Sequence, residues 1–257
     1  MKPETLETRN PSNSSNPCMK IIEVENLVKK FGSFVANDHL TFSVDEGEIY
    51  GFLGANGAGK TTAMKILCGL SAPTSGKVMV AGYDVYKQTE MIKKRIGYMS
   101  QRFSLFDDLS VWENFQFFGG IYGLPRATIK ERTSELLGRL GLESEKNQIL
   151  GSLPLGWKQK LAFSVAIIHR PSIVFLDEPT GGVDPITRRQ FWEIIYETAS
   201  QGITVFVTTH YMDEAEYCRR VSIMADGKIV ALDTPANLKT KYNSASIEEV
   251  FLKIARN

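Results

Sequence analysis

The chain of 257 residues suffices for one large domain or two small ones, and its 43% hydrophobic and 23% charged content is that of a globular protein. Thirty basic against 29 acidic residues leave a net charge of +1, which excludes a general electrostatic pull on nucleic acid. Three widely spaced cysteines, Cys18, Cys68 and Cys218, form no zinc pattern and fit reduced thiols, and no stretch approaches the ~18 apolar residues that a membrane-spanning helix needs.

Residues 1–18 are rich in Ser, Asn, Pro and Thr and lack the hydrophobic core of a signal peptide, so a disordered extension is expected, with structure starting near Met19. From Ile21 to Val44 the runs IIEVENLV and LTFSV alternate as antiparallel strands with one buried face do. EIYGFLG (48–54) is a more continuous apolar strand, and GKVMVAG and RIGYMSQ add two short ones. Residues 102–170 change character: SVWENFQFFGGIYGL, ATIKERTSELLGRLG and KQKLAFSVAIIHR read as helices punctuated by Gly and Pro, the last with Pro154 at its first helical position. SIVFLDE and GITVFVTTH are unbroken β-branched and aromatic runs, the pattern of parallel strands buried on both faces, with PITRRQFWEIIYETASQ as the crossover helix between them. The fold class is therefore α/β, with a small antiparallel β part, a helical insertion and a short tail over 241–257.

GANGAGKTT (54–62) matches the phosphate-binding pattern G-x-x-x-x-G-K-[ST] and lies between a strand and a helix, the context that pattern requires. Gly54, Gly57 and Gly59, with Ala55, Asn56 and Ala58 between them, let the backbone amides face phosphate oxygens, and the following helix adds positive potential. Lys60 can reach the β- and γ-phosphates, the Thr61 hydroxyl can ligate Mg²⁺, and Thr62 extends the loop. A buried strand delivers Asp177 to the carboxyl edge of the sheet, where it can hold Mg²⁺ through water, while Glu178 can orient or deprotonate an attacking water. His210 ends a third buried strand; it is either structural or, if that strand neighbours the other two, aimed at the γ-phosphate. Gln101 is a neutral amide at a strand edge, and Phe31 is either a core aromatic or a platform for a base.

These residues together resemble the nucleotide-binding subunit of an ATP-binding-cassette (ABC) transporter, over about Ile21 to Leu238. The motifs stand in family order: the adenine-stacking Phe31, Walker A (GANGAGKTT), the Q-loop residue Gln101, Walker B (SIVFLDE), the D-loop (GGVDP, with Asp184) and the H-loop residue His210. The resemblance implies a P-loop core over 19–240, with ATP and Mg²⁺ bound and Gln101 among the metal's neighbours. It also implies a second cassette, identical or not, and a membrane-spanning permease at the cytoplasmic face of the cell membrane, with no nucleic-acid partner. Where the family carries its signature LSGGQ, this chain reads LPLGW: Leu153 and Gly156 are kept, while Pro154 replaces the Ser and Leu155 the first Gly. That helix start is implied to face the γ-phosphate held by the opposing cassette.

DDLSVWENFQFFGGIYGLP and the SIEEVFLKI tail resemble those of subunits of bacterial drug- or polysaccharide-exporting systems. Phe103, Leu105 and Phe106, close to Gln101, are expected to form a groove for a permease helix, unless they are core residues. The competing class is a soluble cassette ATPase acting on ribosomes or DNA. Members acting on ribosomes carry two cassettes in one chain and DNA-repair members a long coiled coil, whereas this sequence has one Walker A and no sustained heptads between Lys60 and Leu153. A P-loop kinase or GTPase lacks the counterparts of LPLGW and His210.

Overall fold

The computed structural model describes residues 19–101 and 104–255. The expected disorder of residues 1–18 and the groove role of Phe103 lie outside them. Alternating apolar residues make β1 (Lys20–Phe31) and β2 (Phe34–Asp45) a two-faced antiparallel pair, with Ile22, Val24, Leu27 and Leu40 facing inward. The β3 strand (Ile49–Gly54) is buried at every position and feeds helix α1 (Lys60–Leu67) through the Gly-rich loop. Next come β4 (Ser75–Val80), the short β5 (Tyr83–Asp84), α2 (Thr89–Lys93) and β6 (Ile96–Met99).

Three helices follow. A reciprocal capping box starts α3 (Val111–Ile121): Ser110 Oγ accepts from Glu113 N–H at 3.2 Å, and Glu113 Oε2 accepts from Ser110 N–H at 2.8 Å. After α4 (Arg126–Leu140) comes α5 (Leu155–Ile167), whose end is tied to β6 through the His169 ring. That ring stacks on Tyr122 at 3.6 Å between centroids and lies 2.9 Å, through Nε2, from the Ile96 carbonyl oxygen. Burial pushes His169 down to about 4, so the ring is neutral and Nε2 carries the proton it donates.

The remaining elements are β7 (Ile173–Asp177), α6 (Pro185–Ser200), β8 (Thr204–Thr209), the β9 (Arg220–Ala225) and β10 (Lys228–Asp233) hairpin, α7 (Pro235–Lys241) and α8 (Ile247–Ala255). They complete a six-stranded sheet in the order β10-β9-β3-β8-β7-β6, parallel except for β10, and a four-stranded antiparallel sheet β2-β1-β4-β5. The period-2 alternation of the central strands builds one core on each side. Tyr50, Phe52, Phe175 and Phe206 form an aromatic layer with Phe42 toward the antiparallel sheet, with Phe206 centroids 5.3–5.6 Å from those of Phe52, Phe175 and Tyr50. Ile49, Leu53, Val174, Leu176, Val205 and Val207 face the helices. Each such buried side chain contributes about 1.5–3 kcal/mol of transfer free energy, so the central strands are held from both faces.

The α/β class is borne out, and several details are revised. The tail is part of the core: Ile247 and Val250 of α8 are buried beside Ala215 and Cys218, since the helix would otherwise expose an apolar stripe. Residue 240 falls inside α7. Leu105 lies in the main core at 8% exposure instead of lining a groove, whereas Phe106 is half exposed against Phe117, with ring centroids 4.9 Å apart. No helix among the described residues is long and apolar enough to cross a membrane.

Candidate active site

The strand order places β8 between β3 and β7, so the phosphate loop after β3, the carboxylates after β7 and His210 after β8 emerge at one edge of the sheet. A cavity of about 530 Å³ opens there, lined by Asn56, Gly57, Gly59, Lys60, Thr61 and Thr62 of the loop and helix start and by Gln101 and Glu178, with Asp177 and His210 behind the lining. Gly54, Ala55 and Ala58 hold this loop from behind. Ala58 N–H donates to the Ala55 carbonyl at 3.2 Å, and the Ala58 carbonyl accepts from Gly227 N–H at 3.2 Å. Gly59 has φ 99° and its missing Cβ would sit on the Ala36 carbonyl oxygen, so no other residue fits this turn without strain.

Lys60 is 4% exposed, and its ammonium donates to the Gly54 carbonyl at 2.8 Å and the Ala55 carbonyl at 3.2 Å. Burial lowers its pKa, opposed by the Glu178 carboxylate 3.6 Å away. Asp177 ends β7 almost fully buried, and its Oδ1 accepts from Thr61 Oγ1 at 3.2 Å and Thr208 Oγ1 at 2.6 Å. This hydroxyl–carboxylate pair, opening on a cavity of phosphate-binding amides, is the hard oxygen set that Mg²⁺ prefers alongside substrate phosphates and water. The fit is good.

Glu178 is the meeting point of the predicted site. Its Oε2 accepts from Gln101 Nε2 at 2.9 Å and lies 3.1 Å from His210 Nδ1, a contact not aligned as a straight hydrogen bond. Its backbone has φ 50°, a left-handed conformation that costs a non-glycine residue about 1–3 kcal/mol. Two acceptors hold it there: Glu178 N–H donates to the Thr208 carbonyl at 3.1 Å and to Thr208 Oγ1 at 3.2 Å. Gln101 thus touches the carboxylate as well as the cavity. Phe31 is exposed with Lys29 Nζ 4.8 Å from its ring centroid, and Phe34, its partner in the β1–β2 register, lines the cavity instead. Sequence reading missed Phe34 and Thr208. The second aromatic of KKFGSF and the TTH run were the available signals.

The helix-start residues form a second cluster. Pro154, with φ −56° and ψ 148°, is the residue before α5 and not its first helical residue; the helix begins at Leu155, because the Pro154 carbonyl already accepts from Trp157 and Lys158 N–H at 3.0 and 3.1 Å. The N–H groups of Leu155 and Gly156 therefore open the helix. Leu153 is buried beneath it and Leu155 is half exposed. Gly156 packs so close to Thr187 that a Cβ would overlap its methyl group, and Gln159 Nε2 donates to the Gly181 carbonyl at 3.0 Å. Asp184 caps α6, accepting from Ile186 and Thr187 N–H, both at 3.0 Å; these bonds, with the Thr187 hydroxyl first among them, hold its carboxyl below the usual range. The signature and D-loop segments thus touch each other within one chain, with Leu155 half exposed and Asp184 exposed.

A cavity lined by loop amides, a buried lysine and a hydroxyl–carboxylate pair has the composition of a phosphate-binding site, and comparison with known proteins identifies the family. The profile described as ABC transporter matches residues 37–181. The probable multidrug ABC transporter ATP-binding protein YbhF of Escherichia coli K12 is 48% identical over 243 residues, which are 93% of this chain and 42% of that protein, so the chain spans less than half of that relative. The linearmycin resistance ATP-binding protein LnrL of Bacillus subtilis 168 is 33% identical over 228 residues, 88% of this chain and 73% of that one. Among solved structures, an ATP-binding subunit of an ABC transporter superposes with TM-score 0.82 at 27% identity, covering 91% of this chain and 99% of its own. The P-loop between β3 and α1, the carboxylates after β7 and these likenesses agree: the chain belongs to the ABC transporter family, among its ATP-binding subunits.

Proposed function

We propose that this chain hydrolyses ATP to drive export of a drug-like substrate, docked at the cytoplasmic face of the cell membrane through a separate permease and paired with a second cassette. The observation that carries the catalytic part is the convergence of Lys60, Gln101 and His210 on Glu178 beside the cavity. Lys60 and the loop amides bind the phosphates, and Thr61 and Asp177 hold Mg²⁺, which supplies charge neutralisation at the transferred phosphoryl group. Glu178 orients and deprotonates water, its carboxylate aimed by Gln101 and His210. The export reading draws on YbhF and LnrL, whose names describe multidrug transport and linearmycin resistance. Deleting the gene should remove ATP-dependent efflux of at least one amphipathic drug from a panel; unchanged efflux across the panel would overturn it.

The permease is proposed to seat on the exposed aromatic surface of α3. Phe106 is fixed for this by Asn114, whose Oδ1 accepts from Phe106 N–H at 2.9 Å and whose Nδ2 donates to the Phe106 carbonyl at 3.0 Å. A half-exposed ring on a pinned backbone suits a docking contact. Phe106→Glu should abolish transport while ATP affinity stays at the parental value. Parental transport with position 106 open to labelling would refute the docking site.

The substituted signature implies a weaker closure onto the opposing nucleotide. Leu155 and Gly156 amides and the helix dipole remain, but the family's Ser hydroxyl is absent, and a hydroxyl donor to a charged oxygen contributes about 1.5–3 kcal/mol. Pro154→Ser with Leu155→Gly should raise the ATPase rate of the isolated chain several-fold. A fall would mean that LPLGW is a tuned substitute.

A further inference from the structure

The loop after β8 carries a set of side chains that the catalytic reading leaves unused. Tyr211 lies beside His210, with ring centroids 4.2 Å apart, and the Arg188 guanidinium carbon lies 4.2 Å from the Tyr211 centroid. Arg188 also reaches two carboxylates of the same segment: Asp213 at 3.5 Å through Nη1, and Glu214 at 3.6 Å through Nε. Glu214 is fully buried, and its Oε1 accepts from Thr180 Oγ1, two residues beyond Glu178. The contacts therefore close a ring: Glu178, His210, Tyr211, Arg188, Glu214, Thr180 and back along the chain to Glu178.

One link of this ring is an ion pair without a hydrogen bond. Glu214 Oε2 and Arg188 Nε are buried without a hydrogen-bond partner, although the two groups face each other. A guanidinium and a carboxylate buried this close hold each other in place chiefly by charge. Arg188 stands in the first turn of α6, its N–H bonded to the Asp184 carbonyl at 2.9 Å and its neighbour Thr187 packed on Gly156. The turn that touches the signature helix is thus the turn that holds Tyr211.

We propose that Arg188 is a positioning residue for the ATPase reaction: through Tyr211 it fixes the His210 imidazole against Glu178, and so ties His210 to the signature and D-loop segments. The inference rests on the catalytic reading above. A guanidinium on an aromatic face is attracted to the ring quadrupole, most strongly where water is excluded, and Arg188 is only 20% exposed. Losing that contact frees Tyr211, and with it the imidazole, without touching a nucleotide-binding group.

Arg188→Met alone would strand the Glu214 carboxylate, so the test pairs it with Glu214→Gln, which keeps an acceptor for Thr180. Tyr211→Leu is the independent second variant. In the purified full chain each should lower kcat for ATP about tenfold, with KM within about twofold and the melting temperature near the parental value. Combining them should give no further loss, because both break one path. Arg188→Lys should recover most of the rate. Parental kcat for Tyr211→Leu, or losses that multiply in the combined variant, would overturn the proposal. Glu178→Gln run alongside separates the two failures: a parental rate there overturns the catalytic reading itself, whereas an inactive Glu178→Gln beside fully active Tyr211→Leu overturns the positioning role alone.

Discussion

Glu178→Gln is expected to leave ATP binding intact while lowering kcat by a factor on the order of 10²–10⁴, the contribution of a positioned general base. The substitution preserves side-chain length, so the left-handed backbone at 178 and its two bonds to Thr208 should persist. What disappears is the negative charge between Lys60, Gln101 and His210. Without it the carboxylate base is gone, and Lys60 loses the nearer of the two carboxylates that oppose its desolvation. A further outcome is accumulation of an ATP-bound dimer, since closure no longer leads to hydrolysis. Phosphate release and gel filtration with ATP measure the two effects. A parental rate would remove Glu178 from the mechanism.

Arg220→Met should produce the largest loss of stability. Glu48 is fully buried at the foot of β3, and Arg220, opening β9, grips it with Nε–Oε1 and Nη2–Oε2 distances both of 2.7 Å. The same guanidinium donates to the Ser43 carbonyl at 3.0 Å and lies 3.7 Å from Asp45, so it pins the antiparallel sheet to the parallel one. The Glu48 carboxylate in turn raises the pKa of Arg220. Removing the cation strands a buried carboxylate, which typically costs about 3–5 kcal/mol. For a chain of this size that is a fall in melting temperature of about 10 °C. Adding Glu48→Gln should restore part of it, because the neutral amide loses less by burial. A melting temperature within about 2 °C of the parental value for Arg220→Met would show the pair to be dispensable.

The parallel strands and the phosphate loop were legible because each is fixed locally: β3, β7 and β8 are runs of β-branched, aromatic and aliphatic residues, and GANGAGKTT has a spacing specific to phosphate binding. What could not be read were relations set by the third dimension. Whether His210 faces the cavity depends on β8 lying between β3 and β7, and nothing within GITVFVTTH encodes its neighbours. Leu105 and Phe106 have similar hydrophobicity, yet one is core and the other surface, and the Asn114 amide that holds the Phe106 backbone at both its N–H and its carbonyl lies eight residues away. Pro154 was misplaced by one residue, since a fixed φ suits both the residue before a helix and its first turn, and ψ alone separates them. Phe34 over Phe31 is likewise decided by which way a hairpin pair leans.

The Thr208 hydroxyl donates to the carboxylate that is proposed to hold the metal and accepts from the backbone of the one proposed to activate water. One oxygen atom therefore serves as a common pivot for both halves of the chemistry. The two carboxylates cannot drift apart through changes in β8: whatever moves the Thr208 hydroxyl moves both.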